Sequence, residues 1–248
     1  MRKARRGTKA QIDQLSQALL LNGEAIKSDR PKSLTHHDLR TIRPMTDNQA
    51  LAFDAFEDYD HVVLNGSPGS GKSFLSSYHA LKSLLVTKEQ THIKIIRSAV
   101  ECRSQGFLPG DLAEKSAPYE NPYHGIFHEL LGRATAYEHL KKSGQLSFET
   151  TGFLRGLTFI NTFIIVDEAA NLTLHEIDTI MTRIGDNSRI VFCGDIKQSD
   201  LKKNESGYLK ALRIWDAMDE FSTVTFSHDD IVRSGVVKSW IIASENIS

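Results

Sequence analysis

Short, unbroken apolar runs alternate with amphipathic stretches along most of this chain. His61–Asn65, Ile93–Arg97, Phe163–Asp167, Arg189–Cys193 and Thr223–Phe226 read as strands, and the central ones lack the polar alternation of a half-solvated sheet. Between them lie segments with helical spacing: Thr46–Phe56, Lys72–Val86, Thr173–Ile184 and Gly207–Asp219. Thr173, followed three residues on by Glu176, marks a capping box at the start of the third. Apolar strands bracketed by helices predict an α/β fold, a mainly parallel sheet with helices on both faces.

Two stretches break the alternation. Arg103–Gly125 holds Pro109, Pro118 and Pro122 with Gly106 and Gly110, and reads as a long structured loop, a feature that usually serves function. Gln145–Asn161 reads as a small β-hairpin insert, Leu146–Glu149 and Leu157–Asn161, around Gly152 and Gly156. Upstream, Ile12, Leu15, Leu19 and Ile26 recur at helical spacing, and Asp29-Arg30-Pro31 then opens a polar stretch to Pro44. The expected division is a basic N-terminal helix and linker over residues 1–43 and one α/β domain over residues 44–248.

Composition changes this picture in two ways. Hydrophobic residues at 40% suffice to bury a full sheet, yet no apolar run nears the roughly 18 residues that span a bilayer. The basic start lacks the apolar core of a secretory leader. Cys102 and Cys193 alone make no disulfide framework, so a reducing cytoplasm is the expected setting. Charge is uneven: residues 1–43 carry ten Lys/Arg against four Asp/Glu, +6, which leaves −7 for the rest of a chain of net charge −1. Arg2, Lys3, Arg5, Arg6 and Lys9 form a basic tail suited to phosphate contact, or simply a solvated start.

The chemistry concentrates where strands end. Gly66-Ser67-Pro68-Gly69-Ser70-Gly71-Lys72-Ser73 matches G-x-x-x-x-G-K-[ST] at every fixed position, between a predicted strand and a predicted helix. The glycines let successive N–H groups curl inward around phosphate oxygens, and Lys72 neutralises the β- and γ-phosphates. Ser73 supplies a Mg²⁺ ligand, and Phe74 opens the helix behind it. ATP with Mg²⁺ is the expected cofactor. Asp167-Glu168 ends a buried strand, where Asp167 would hold Mg²⁺ through water and Glu168 would act as general base. Gly194-Asp195-Ile-Lys197-Gln198 follows another strand, with Gln198 suited to the attacking water and Asp195 to orienting it. Gln49 is placed to read an adenine edge. Arg155, Arg183 and Arg233 are candidates for transition-state charge, Arg233 as an arginine finger toward a neighbouring subunit. His124 and His128 share a helical face without a third metal ligand nearby.

Taken together, these motifs resemble the PhoH-like ATPases, over about Thr41 to Ile242, and the small size resembles the versions encoded by bacteriophages. The narrowest matches are Gly106–Lys115 with Ala117-Pro-Tyr119, Arg155-Gly-Leu-Thr-Phe159, Asp167-Glu-Ala, Thr182-Arg-Ile-Gly185, Gly194–Leu201 and Asp230-Ile-Val-Arg233. The resemblance implies a RecA-like core related to one motor domain of the superfamily-one helicases. It also implies ATP hydrolysis, RNA-linked roles and homo-oligomerisation into a ring, hexameric in its expected form, in the cytoplasm (a host's, if phage-encoded). Ala170, Leu157 and Ser98 stand where the family usually has Gln, Arg and Pro, and none removes a phosphate or Mg²⁺ contact. Three functions stay open: an ATPase acting on nucleic acid, a slow nucleotide-dependent scaffold, and a small-molecule P-loop kinase.

Overall fold

The computed structural model describes residues 33–98, 112–154, 158–196 and 206–247. The expected helix over Ala10–Ile26, Cys102, Arg155 and Gln198 fall outside them. The chain divides into Met1–Ser33 and Leu34–Ser248, and the fold below is that of the second unit.

Six strands form one sheet: β1 (His61–Gly66), β2 (His92–Arg97), β3 (Leu146–Thr150), β4 (Thr162–Asp167), β5 (Arg189–Gly194) and β6 (Phe221–Phe226). Their order is β3-β2-β4-β5-β1-β6, and every pairing is parallel. Parallel neighbours need crossover connections, so the intervening segments must cover the faces. Successive residues of a strand feed opposite cores. Val62, Leu64, Ile93, Ile95, Phe163 and Ile165 join one apolar cluster, while Val63, Ile96, Ile164, Val166, Ile190 and Phe192 join the other. The first cluster is closed by α1 (Asp47–Asp58), α2 (Lys72–Lys82), α3 (Leu112–Leu131) and α4 (Ala136–Lys142). The second is closed by α5 (Leu174–Met181) and α6 (Tyr208–Trp215), with Trp215 packed on Phe192. A last helix, α7 (Gly235–Ile247), ends the described chain. Leu34, Leu39 and Ile42 pack against the first cluster ahead of α1.

Thr173 caps α5 by accepting from Glu176 N–H, and Glu176 returns the bond, as the sequence pattern predicts. Two expectations need correction. Leu146–Glu149 is not half of a hairpin: β3 extends the main sheet, paired in parallel with β2, and Phe159 makes only an isolated bridge to Ile184. Gly152, one of the two glycines that suggest a hairpin turn, lies in a short 3-10 turn, Thr151–Phe153, directly after β3. The described part of the proline-rich stretch, from Leu112 onward, is helix rather than loop. Pro118 and Pro122 lie four residues apart, hence on one face of α3, and both are exposed, so their rings lie outside the packed core.

Candidate functional site: the cleft at the P-loop

Strand β1 runs directly into the glycine loop. Gly66 takes φ 119°, and a Cβ there would lie 2.0 Å from the Phe226 carbonyl oxygen, so only glycine fits beside β6. Gly69 (φ 75°) and Gly71 (φ 89°) complete the curl that delivers the chain to α2. Inside it, Ser70 Oγ donates to Ser67 O at 2.9 Å, and Lys72 Nζ donates to the carbonyls of Gly66 at 2.6 Å and Ser67 at 2.8 Å. Lys72 and Ser73 form the first turn of α2, whose positive end faces the same loop. Burial draws the Lys72 ammonium below its usual range, and the carboxylates of Asp195, Asp167 and Glu168 oppose that shift.

The acidic pair meets this loop. Ser73 Oγ lies 3.1 and 3.0 Å from the two oxygens of Asp167, at the end of β4. Glu168 N–H donates to Asp167 Oδ1 at 3.0 Å, and Tyr123 from α3 donates its hydroxyl to Oδ2 at 2.5 Å. Glu168 takes a left-handed backbone (φ 53°, ψ 39°), unusual for a non-glycine residue, which turns its side chain back toward the cleft. There it pairs with Arg97 at 3.4 Å, and Arg97 also donates to the Tyr119 carbonyl and lies 5.7 Å from that ring's centre. Asp195, directly after β5, is buried and lines the same cleft.

The donors suit a hard divalent cation: one hydroxyl and one carboxylate, all oxygen, at the mouth of a phosphate loop. The cleft, about 930 Å³, has room for a nucleotide beyond the loop. Ile42, Met45, Phe74 and Ile126 also line it, as do Arg40 and Arg43.

The sequence model of the family described as "PhoH-like protein" matches residues 41–245. The chain belongs to this family. It is 34% identical over 209 residues to the PhoH-like protein of Bacillus subtilis (strain 168), covering 82% of this chain and 64% of that one. With the PhoH-like protein of Mycobacterium tuberculosis (strain ATCC 25618 / H37Rv) it shares 33% over 206 residues, 82% of this chain and 58% of that one. Protein PhoH of Escherichia coli (strain K12) is 31% identical over 202 residues, covering 80% and 57% respectively. The chain thus spans 57 to 64% of the length of these relatives.

Within this PhoH-like chain the RecA-like α/β core is present, and Lys72, Ser73, Asp167, Glu168, Asp195 and Arg233 all line one cleft. Arg233 comes to it from the same chain. Val232 N–H donates to Gly69 O at 3.1 Å, and the Arg233 side chain lies over Gly69, 2.9 Å from where a Cβ would stand. Asp230 prepares that approach by accepting from Asn48 Nδ2 at 2.8 Å and Ser227 N–H at 2.7 Å. Gln49 also reaches the cleft, but its amide is engaged by protein: Nε2 donates to Ser70 O at 3.0 Å, and Oε1 accepts from Met45 N–H at 2.8 Å. Arg183 instead holds the Leu154 carbonyl at 2.5 Å. Among the described residues no three His, Cys, Asp or Glu side chains gather to hold a metal, and His124 sits against Tyr137 and Glu138. Tyr123 and the segment 40–45 were not expected at the site. Their only sequence signal is an aromatic in a proline-rich stretch and two arginines in a linker.

Proposed function

We propose that this protein binds ATP with Mg²⁺ and hydrolyses it, in a cycle coupled to nucleic acid, with RNA favoured. One observation carries the reading: the Ser73 hydroxyl of the P-loop stands 3.0–3.1 Å from the Asp167 carboxylate, which joins phosphate grip and acidic pair in one pocket. Backbone N–H groups from Gly69 to Ser73 and the Lys72 ammonium would bind the phosphates. Ser73 and Asp167 would hold Mg²⁺, which supplies charge neutralisation on the β- and γ-phosphate oxygens. Glu168 then takes a proton from water as that oxygen bonds to the γ-phosphorus, and the bond to the bridging oxygen breaks to release ADP. Asp195 and Gln198 orient the water, and Arg233 offsets charge on the transferring group. Gln49 acts first as a brace between Met45 and the loop, while Ile42, Met45, Phe74 and Ile126 make an apolar seat suited to a base. Assembly into a homo-oligomer, ring-like in form, is part of this reading.

Glu168→Gln should leave ATP binding within about threefold of wild type and reduce turnover by about a hundredfold or more, with single-stranded RNA raising wild-type turnover. Turnover that persists in the variant would assign the base elsewhere. A second reading, a slow nucleotide-dependent scaffold, is favoured by the pairing of Glu168 with Arg97, which holds the base away from free service. Absence of any stimulation by RNA or DNA would select it.

A further inference from the structure

Tyr123 is buried to 1% exposure and comes from a helix that carries none of the loop or strand-end motifs. Its ring packs 5.9 Å from Phe148, and its hydroxyl ends on the one carboxylate of the cleft that Ser73 also touches. The contacts on Asp167 divide the work between its two oxygens. Ser73 Oγ is nearly equidistant from both, so it does not fix the rotation of the carboxyl plane. Glu168 N–H engages only Oδ1 and Tyr123 only Oδ2. The terminal torsion of an aspartate is soft, with broad wells. Mg²⁺ in contrast demands near-ideal octahedral geometry and tolerates little angular error.

Building on the Mg²⁺-ATP reading above, we propose that Tyr123 is a positioning residue that sets the plane of the Asp167 carboxylate for the divalent cation. The phenol is well suited to this. It is rigid, closed in by packing, and close enough at 2.5 Å for a charge-assisted bond, the strong class of hydrogen bond. Partners of this kind, one step removed from a metal, typically hold about tenfold or more of its affinity. The metal seat is thereby tied to α3, an element otherwise outside the catalytic machinery.

The test is Tyr123→Phe in the full chain, which keeps the ring and deletes one oxygen. A fluorescent ATP analogue is titrated with the protein in excess chelator and then at stepped Mg²⁺. Mn²⁺ binding to the nucleotide complex is followed separately by electron paramagnetic resonance. The half-saturating cation concentration should rise about tenfold in both, while metal-free nucleotide affinity stays within about twofold. Asp167→Asn should abolish the difference between Tyr and Phe at position 123. Tyr123→Met, also without a hydroxyl, should repeat the rise should Phe pack poorly. An unchanged cation requirement in either folded variant overturns the proposal, as does an equal loss of metal-free binding, which would mean simple loosening of the cleft. A wild-type protein whose nucleotide binding ignores divalent cations would refute the ATPase reading itself, a result distinct from these.

Discussion

His79 gives a quantitative handle on the helix that carries Lys72 and Ser73. It sits on the buried face of α2, stacked on Phe56 at 4.0 Å between ring centres and edge-on to Phe53 at 4.8 Å. Among the described contacts its Nε2 has no hydrogen-bond partner. Burial lowers the imidazole from 6.5 to about 3, with the positive charges of Lys82 and Arg189 adding to the shift. Between those two values the unfolded chain binds a proton that the folded chain refuses. The contribution is therefore fully present above pH 6.5 and is lost as pH falls toward 3. From pH 7.5 to 5.0, RT ln(1 + 10^1.5) gives a loss of about 2 kcal/mol. For a chain of this size that corresponds to about 4–8 °C in Tm. Thermal melts of nucleotide-free wild type and His79→Leu at the two pH values isolate the effect. His61 and His92, also lowered by burial, are common to both proteins and cancel. The leucine variant should lose less on acidification by that amount. Equal drops in Tm for the two proteins would show that His79 takes up a proton in the folded state, and the packing argument would fail.

Two other substitutions probe the cleft. Gly66→Ala forces a Cβ to within 2.0 Å of the Phe226 carbonyl at φ 119°, so it should cost about 3 kcal/mol or more, read from urea midpoints. Arg233→Ala should slow turnover about a hundredfold. Because Arg233 lies over Gly69 of its own chain, wild-type and variant subunits mixed in one preparation should lose activity in proportion to mole fraction, and a steeper loss would place its action across an interface.

How much of this was legible in the sequence depends on whether the signal was local. The P-loop was readable because each fixed glycine and Lys72 answers a backbone requirement within eight residues. Asp167 was readable because four buried apolar positions announce a strand end, and strand ends on one side of a parallel sheet converge. The Thr173–Glu176 cap is local in the same way. Strand β3 escapes a local reading because glycines nearby imitate a turn, whereas its partner, β2, lies about fifty residues earlier. Tyr123 was hidden for a related reason. Pro118 and Pro122 argued against a helix, and only the exposed face they share lets α3 continue and carry Tyr123 to Asp167. Residues 40–45 offer only Arg40 and Arg43 in a polar linker, since the lining of a cleft needs neither periodicity nor motif.

The glycine loop is held by segments from opposite ends of the described chain: Gln49 grips Ser70 from the beginning, and Val232 grips Gly69 from the end. A nucleotide seated between them would act as a cross-link closing a circuit of nearly two hundred residues. The amide protons of Val232 and of Met45, which donates to Gln49, should then exchange with deuterium in step, slowing together as the ligand arrives and quickening together as it departs. Each half-cycle would be felt at Gln49 and at Val232 at once.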